Sequence, residues 1–158
     1  FCVFFRQRTA YEMLRSLVGS EMWRRDRGVG SVCAVASAMG IARALGASVP
    51  TQLSLAPKSV TTPIAMAVAE RIGGIASLAA VLVIVTGIVG AVVAPALFRW
   101  LRIKDHAIQG FALGVVAHGI GTARAFAISE QAGAFAALAM GLNGAITALL
   151  LPALLQNW

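Results

Sequence analysis

The chain has 158 residues, 59% hydrophobic and 12% charged, with a mean hydropathy of +0.83. A soluble globular domain carries about 25% charged residues, so an ordinary water-facing surface is excluded, and the apolar excess equally excludes an intrinsically disordered chain. The net charge of +7 raises nucleic acid as a partner, but the charge is not spread over a face. Nine charged side chains (Arg6, Arg8, Glu12, Arg15, Glu21, Arg24, Arg25, Asp26 and Arg27) fall within the first 27 residues, and ten are left for the remainder. So few charges cannot line a groove for a phosphate backbone. The cluster reads as the positive-inside bias of a membrane protein, whose partner is the lipid bilayer and not nucleic acid.

In chain order, residue 1 is Phe and not Met, so the sequence reads as beginning inside a longer protein. Residues 1–27 form a basic segment with no assigned fold; the apolar run at 1–5 is too short for a secretory leader. Residues 28–47 are apolar and small except for Arg43, and are expected to form a first span with Arg43 snorkelling near its end. Residues 75–98 and 132–155 are each 24 residues without a charge. At 1.5 Å per residue each reaches about 36 Å, enough to cross a hydrocarbon core of about 30 Å. Thr86 and Asn143 lie inside these spans and must each find a protein partner there. Gly110 and Gly114 form a GxxxG pair, read as ordinary close helix contact. Cys2 and Cys33 have no metal-ligand spacing, and no cofactor is expected.

Two segments interrupt the helical pattern. In residues 57–63, PKSVTTP, two prolines bracket β-branched and hydroxyl residues. In residues 118–124, HGIGTAR, two glycines weaken the helix by about 1 kcal/mol each. Apolar arms flank both, which makes residues 48–74 and 107–131 two broken segments. The halves also align. At an offset of 60, Thr62, Ala65, Ala67, Glu70 and Gly73 meet Thr122, Ala125, Ala127, Glu130 and Gly133. At an offset of 57, Gly87 meets Gly144, and Pro95, Ala96 and Leu97 meet Pro152, Ala153 and Leu154. The shared order of break, Glu, Gly, span and Pro indicates an internal repeat.

Basic residues at 24–27 and at Arg99, Arg102 and Lys104 put both clusters on the cytoplasmic side. Residues 48–74 then begin and end on the outer side, as a re-entrant hairpin does, and residues 107–131 form a second hairpin from the opposite face. The expected fold is all-α: a polytopic transmembrane helical protein with two re-entrant segments whose breaks meet near the midplane. Full crossings at both breaks would give a parallel repeat instead.

PKSVTTPIAM at 57–66, Glu70, Gly73-Gly74, Thr86-Gly87, AHGIGTARA at 117–125 and ALAMGLNG at 137–144 resemble the LrgB/CidB family of antiholin-like bacterial membrane proteins. The resemblance covers about residues 45–158 and makes this chain look like a C-terminal portion. It implies a multi-pass protein of the bacterial cell (inner) membrane. It also implies one of two roles: regulation of murein hydrolase activity and lysis with an LrgA/CidA-type holin-like partner, or carriage of a small carboxylate, as in the plastid glycolate/glycerate translocator relatives. A homo-oligomer is compatible with either.

The residues favour the carrier. Lys58, His118 and Arg124 are the cation-capable side chains near the breaks, and an intramembrane charge is a functional hypothesis by default. A carboxylate held there needs a cation, hydroxyl donors and free backbone N–H groups. The expected solute site is Lys58, Ser59, Thr61, Thr62, His118, Gly119, Gly121, Thr122 and Arg124. The competing reading is that these polar groups satisfy carbonyls freed at the breaks. His118, with an ordinary pKa of about 6.5, is the first candidate for proton coupling. Glu70 and Glu130 are further candidates, but each lies eight residues beyond its Thr, about 12 Å along a helix, which favours a solvated face near the membrane surface. No catalytic constellation is readable, so no enzymatic activity is expected.

Overall fold

The computed structural model describes the backbone of residues 21–155 and the side chains of residues 33–155; the expectation for residues 1–20 lies outside the described residues. The described chain is helical throughout: α1 (Glu21–Ala44), α2 (Val49–Leu55), α3 (Thr62–Arg71), α4 (Ala76–Trp100), α5 (His106–Ile128) and α6 (Glu130–Leu155). Contacts divide the chain into two units, Phe1–Ala34 and Val35–Trp158. Of the first, the described part is the beginning of α1; everything below concerns the second.

The helices end where the sequence supplies caps. After α3, Gly74 N–H donates to Ala69 O and Gly73 N–H to Glu70 O, with Gly73 at φ 85°, a Schellman motif that needs a left-handed residue. The same pair of bonds closes α4 onto Phe98 O and Arg99 O, but there the left-handed residue is Arg102, at φ 55°. Asp105 Oδ1 accepts Ala107 N–H and Ile108 N–H at the start of α5, and Ser129 Oγ accepts Ala132 N–H at the start of α6. The expected span at 75–98 is occupied by α4 and that at 132–155 by α6. For the expected span at 28–47, α1 stops at Ala44, and its described apolar part is Cys33–Ala44.

Among the described residues, three helices are long and apolar enough to cross a membrane: Ala76–Trp100, His106–Ile128 and Glu130–Leu155. The second is not a straight rod. His118 has φ 40° and ψ −128°, which no α-helix contains. Residues 113 and 121 would stand about 12 Å apart in a continuous helix. Instead a Cβ on Gly121 would collide with the Leu113 carbonyl and lie 2.6 Å from Ala117 Cβ. The chain therefore folds back at His118, and Leu113 and Ala125 share one core cluster. The arms, 106–117 and 119–128, are about 18 and 15 Å long, so neither crosses a core of about 30 Å. The two arms form a helical hairpin.

The sequence assigned this break to the glycines. The structure puts the unusual dihedrals on His118 and leaves both glycines without positive φ. Gly121 serves another purpose: with no Cβ it lets the second arm close against the first.

The first broken segment is asymmetric. Ser54 Oγ accepts Ile75 N–H at the start of α4 and donates to Pro50 O. Short helix α2 is thereby held level with that end of α4. The descent to the break is made by residues 56–61, in turns, and α3 returns to the loop before α4. Leu53, Ala56, Val68 and Ile72 pack with Met39 of α1 and Leu151 of α6 in one core cluster.

Small residues set helix separation in the other half. The GxxxG pair lies directly on α6: a Cβ on Gly110 would strike the Ala132 carbonyl, and one on Gly114 the Ala136 carbonyl. A four-residue step on α5 matches a four-residue step on α6, so the first arm and α6 run parallel. Gly114→Leu is expected to lower the thermal unfolding temperature in detergent by an amount equivalent to about 2–4 kcal/mol, as overpacking against backbone that cannot yield. Gly141→Ala, where an added Cβ meets nothing within 4 Å, is expected to leave it unchanged or slightly raised.

Candidate functional site

The two breaks come together at the middles of the two long helices. On α4 the level is given by Gly87 and Gly90. A Cβ on Gly87 would lie 2.7 Å from His118 Cε1, and one on Gly90 would lie 2.8 Å from Ala117 Cβ. Both glycines sit halfway along Ala76–Trp100. On α6 the level is given by Asn143, halfway along Glu130–Leu155. Asn143 Nδ2 donates to Ser59 O at 2.8 Å and to Val115 O at 3.3 Å. Val60 of the first break packs with Val83 of α4, whose carbonyl also receives the His118 ring.

His118 is buried, and its Nε2–H donates to the Val83 carbonyl at 2.9 Å. A carbonyl can only accept, so the contact requires the proton on Nε2. Gly87 makes it possible, because any side chain there would occupy the volume of the ring. Thr122 Oγ1 donates to His118 O at 2.8 Å and lies 3.8 Å from Met140 Sδ. Its hydroxyl is thus directed at the carbonyl of the fold-back point.

Lys58 lies in the turn before α3 and is half-buried. Among the described residues its ammonium has no carboxylate within ion-pair distance; the acidic residues Glu70 and Glu130 are exposed at the far end of α3 and the first position of α6. Ser59 and Thr62 are also half-buried. Thr61, half-buried, is the N-cap of α3 but makes no side-chain cap hydrogen bond. The first turn of α3 therefore keeps its N–H groups, with Pro63 having none to satisfy. Arg124 and Gly119 are exposed on the second arm. The structure brings Ser59, His118 and Thr122 to one level, Lys58, Thr61 and Thr62 beside them, and leaves Arg124, Glu70 and Glu130 outside.

Residue-level reasoning overlooked the clamps: Val83, Gly87, Val115 and Asn143 hold the breaks yet were not among the candidate solute residues. Asn143 carried a signal, since an amide inside an uncharged span must be satisfied by protein. A backbone carbonyl such as Val83 O carries none. A cavity of 390 Å³ lies alongside, between α4 and the first arm of α5, lined by apolar side chains and Thr86. It suits hydrocarbon, not a carboxylate.

Residues 27–157 match the model of the LrgB-like family. The chain is 42% identical over 128 residues to the uncharacterized protein YwbG of Bacillus subtilis (strain 168), covering 81% of this chain and 57% of that protein. It is 36% identical over 114 residues to the uncharacterized protein YxaC of the same organism, covering 72% and 50%. To the antiholin-like protein LrgB of Bacillus mycoides (strain KBAB4) it is 30% identical over 124 residues, covering 78% and 54%. It thus spans about half the length of these relatives. No solved structure matches.

Gly87→Ala is expected to expel the His118 ring from Val83 O and cost about 1–3 kcal/mol, the penalty of an unsatisfied buried polar group. With nitrogen-15-labelled histidine at pH 8, the single Nε2-protonated signal of His118 should become a tautomer mixture.

Proposed function

The chain belongs to the LrgB-like family, and from that premise we propose that it moves a small carboxylate of the glycolate, glycerate or pyruvate kind across the bacterial cell membrane, performing no chemical conversion. The observation that carries this reading is Lys58: a half-buried cation in a helix break, with no acidic partner among the described residues. It adjoins Ser59, whose carbonyl is held at the middle of α6. A cation kept in that setting is costly unless an anion joins it. The start of α3 adds the positive end of a helix dipole and the uncapped Thr61 hydroxyl. Lys58, Thr61 and Thr62 would hold the carboxylate; Ser59, Gly119, Gly121 and Thr122 would shape the break around it. Arg124, exposed on the second arm, would act in approach to the site.

Proton coupling falls to His118, whose ring is the titratable group at the break itself. Protonating Nδ1 preserves its bond to Val83 O while adding a charge close to the solute. Glu70 and Glu130 are exposed near helix ends, which supports a solvated role for them.

The name of one relative, antiholin-like protein LrgB, favours a second reading: regulation of lysis together with an LrgA/CidA-type holin-like partner. Uptake of labelled glycolate, glycerate and pyruvate into proteoliposomes separates the two. On the carrier reading the wild-type chain accumulates at least one of them, and Lys58→Gln reduces uptake about tenfold or more, as loss of one charge-assisted contact would. His118→Gln should keep downhill uptake and lose its response to an imposed pH gradient. If no carboxylate moves, alone or with the holin-like partner, while expression still alters autolysis, the regulatory reading replaces the carrier.

A further inference from the structure

One side chain reaches both breaks. Asn143 Nδ2 donates one hydrogen to Ser59 O and the other to Val115 O, at 2.8 and 3.3 Å. The acceptors belong to different hairpins. Ser59 precedes the first turn of α3, so its carbonyl lies outside that helix. Val115 O would accept Gly119 N–H in an unbroken helix, but the dihedrals of His118 turn the chain away between them. Each is a carbonyl released by a break, and in a water-poor interior each needs a donor. The amide is buried and lies at the middle of α6, the helix with which both hairpins share contacts.

We infer that Asn143 is a positioning residue that latches the two helix breaks to one another and so sets the closed state of the solute site; the assignment of that state to transport rests on the carrier reading above. The amide has two hydrogens and two acceptors, one on each hairpin. Withdrawing the first hairpin costs the Ser59 bond and keeps the Val115 bond; withdrawing the second does the reverse. Either side can open at the expense of one hydrogen bond, while opening both costs two. The amide thereby favours the state in which both breaks are docked on α6. No other residue type of that size supplies two donors from one atom.

The test uses spin labels at Ala67→Cys on α3 and Ala123→Cys on the second arm, both exposed and outside the site, in the full chain with Cys2 and Cys33 replaced by Ser, in lipid nanodiscs. Wild-type position 143 should give a short, narrow distance distribution, and its own response to pH, set by His118 and Lys58 beside the latch, is the baseline for the variants. In Asn143→Asp, an ionised carboxylate donates nothing and repels both carbonyls, whereas the protonated acid donates once. The distribution should therefore lengthen and broaden as pH rises and return as pH falls, within one folded preparation. Asn143→Leu should be broad at every pH. Distances in the Asp variant that match wild type across the pH range overturn the latch, and a Leu variant that fails to fold does not affect that comparison. Carboxylate uptake measured in parallel, relative to wild type at the same pH, should fall about tenfold or more in the Asp variant at high pH, where both hydrogen bonds are lost, and recover in part at low pH, where one returns. If the wild type carries no solute but the Asp distances still follow pH, the latch stands and the carrier reading falls. If solute moves and the distances ignore position 143, the reverse holds.

Discussion

A helix interrupted inside hydrocarbon strands its backbone carbonyls and amides, and the cost of each unsatisfied group is large enough to dictate what surrounds it. This fold meets that constraint crosswise. The long helix of the first half, α4, receives the break of the second: Val83 O takes His118, and Gly87 clears the space. The long helix of the second half, α6, receives the break of the first: Asn143 takes Ser59 O, and Gly144 lies close to Ile64 Cδ1, 3.0 Å from where a Cβ would stand. Gly87 and Gly144 are the pair matched by the internal repeat. Each long helix thus holds the break of the other half, while Thr122 and Asn143 also serve His118 O and Val115 O in the second half's own break.

Reciprocity explains the distribution of small residues. Where a break must approach a long helix, the helix surface is glycine; where a hairpin arm must lie flat, Gly110 and Gly114 bring it onto the α6 backbone. Repeat-matched positions need not do matched work. Gly73 closes α3 in a left-handed cap, while its counterpart Gly133 accommodates the Phe126 ring.

Placing two breaks at one level has a chemical consequence. Most polar groups there are consumed in holding the structure: the Thr122 hydroxyl, the His118 Nε2 proton and the Asn143 amide all serve backbone carbonyls. Among the described residues, Lys58 and the Thr61 hydroxyl are groups beside the breaks that this scaffolding does not use. A scaffold satisfied by its own neutral donors can leave a cation for something that comes and goes, which is the requirement of a carrier and the basis of the reading adopted here.

Much of this was legible from residue order. Long uncharged runs in the absence of compensating polarity dictate apolar helices, because only a helix satisfies every backbone group within a single segment; α4 and α6 follow directly. Prolines at 57 and 63 mark a break without any knowledge of neighbours, and the matched order of features reveals two halves. Tertiary structure alone decided the rest. That His118, and not the adjacent glycines, turns the chain depends on Val83 O waiting 35 residues away to hold its ring. That Thr122 and His118 serve the backbone, and that Asn143 joins both hairpins, depends on which carbonyls the fold strands. Local sequence fixes where a helix will fail; only the assembled chain fixes which distant group makes that failure affordable.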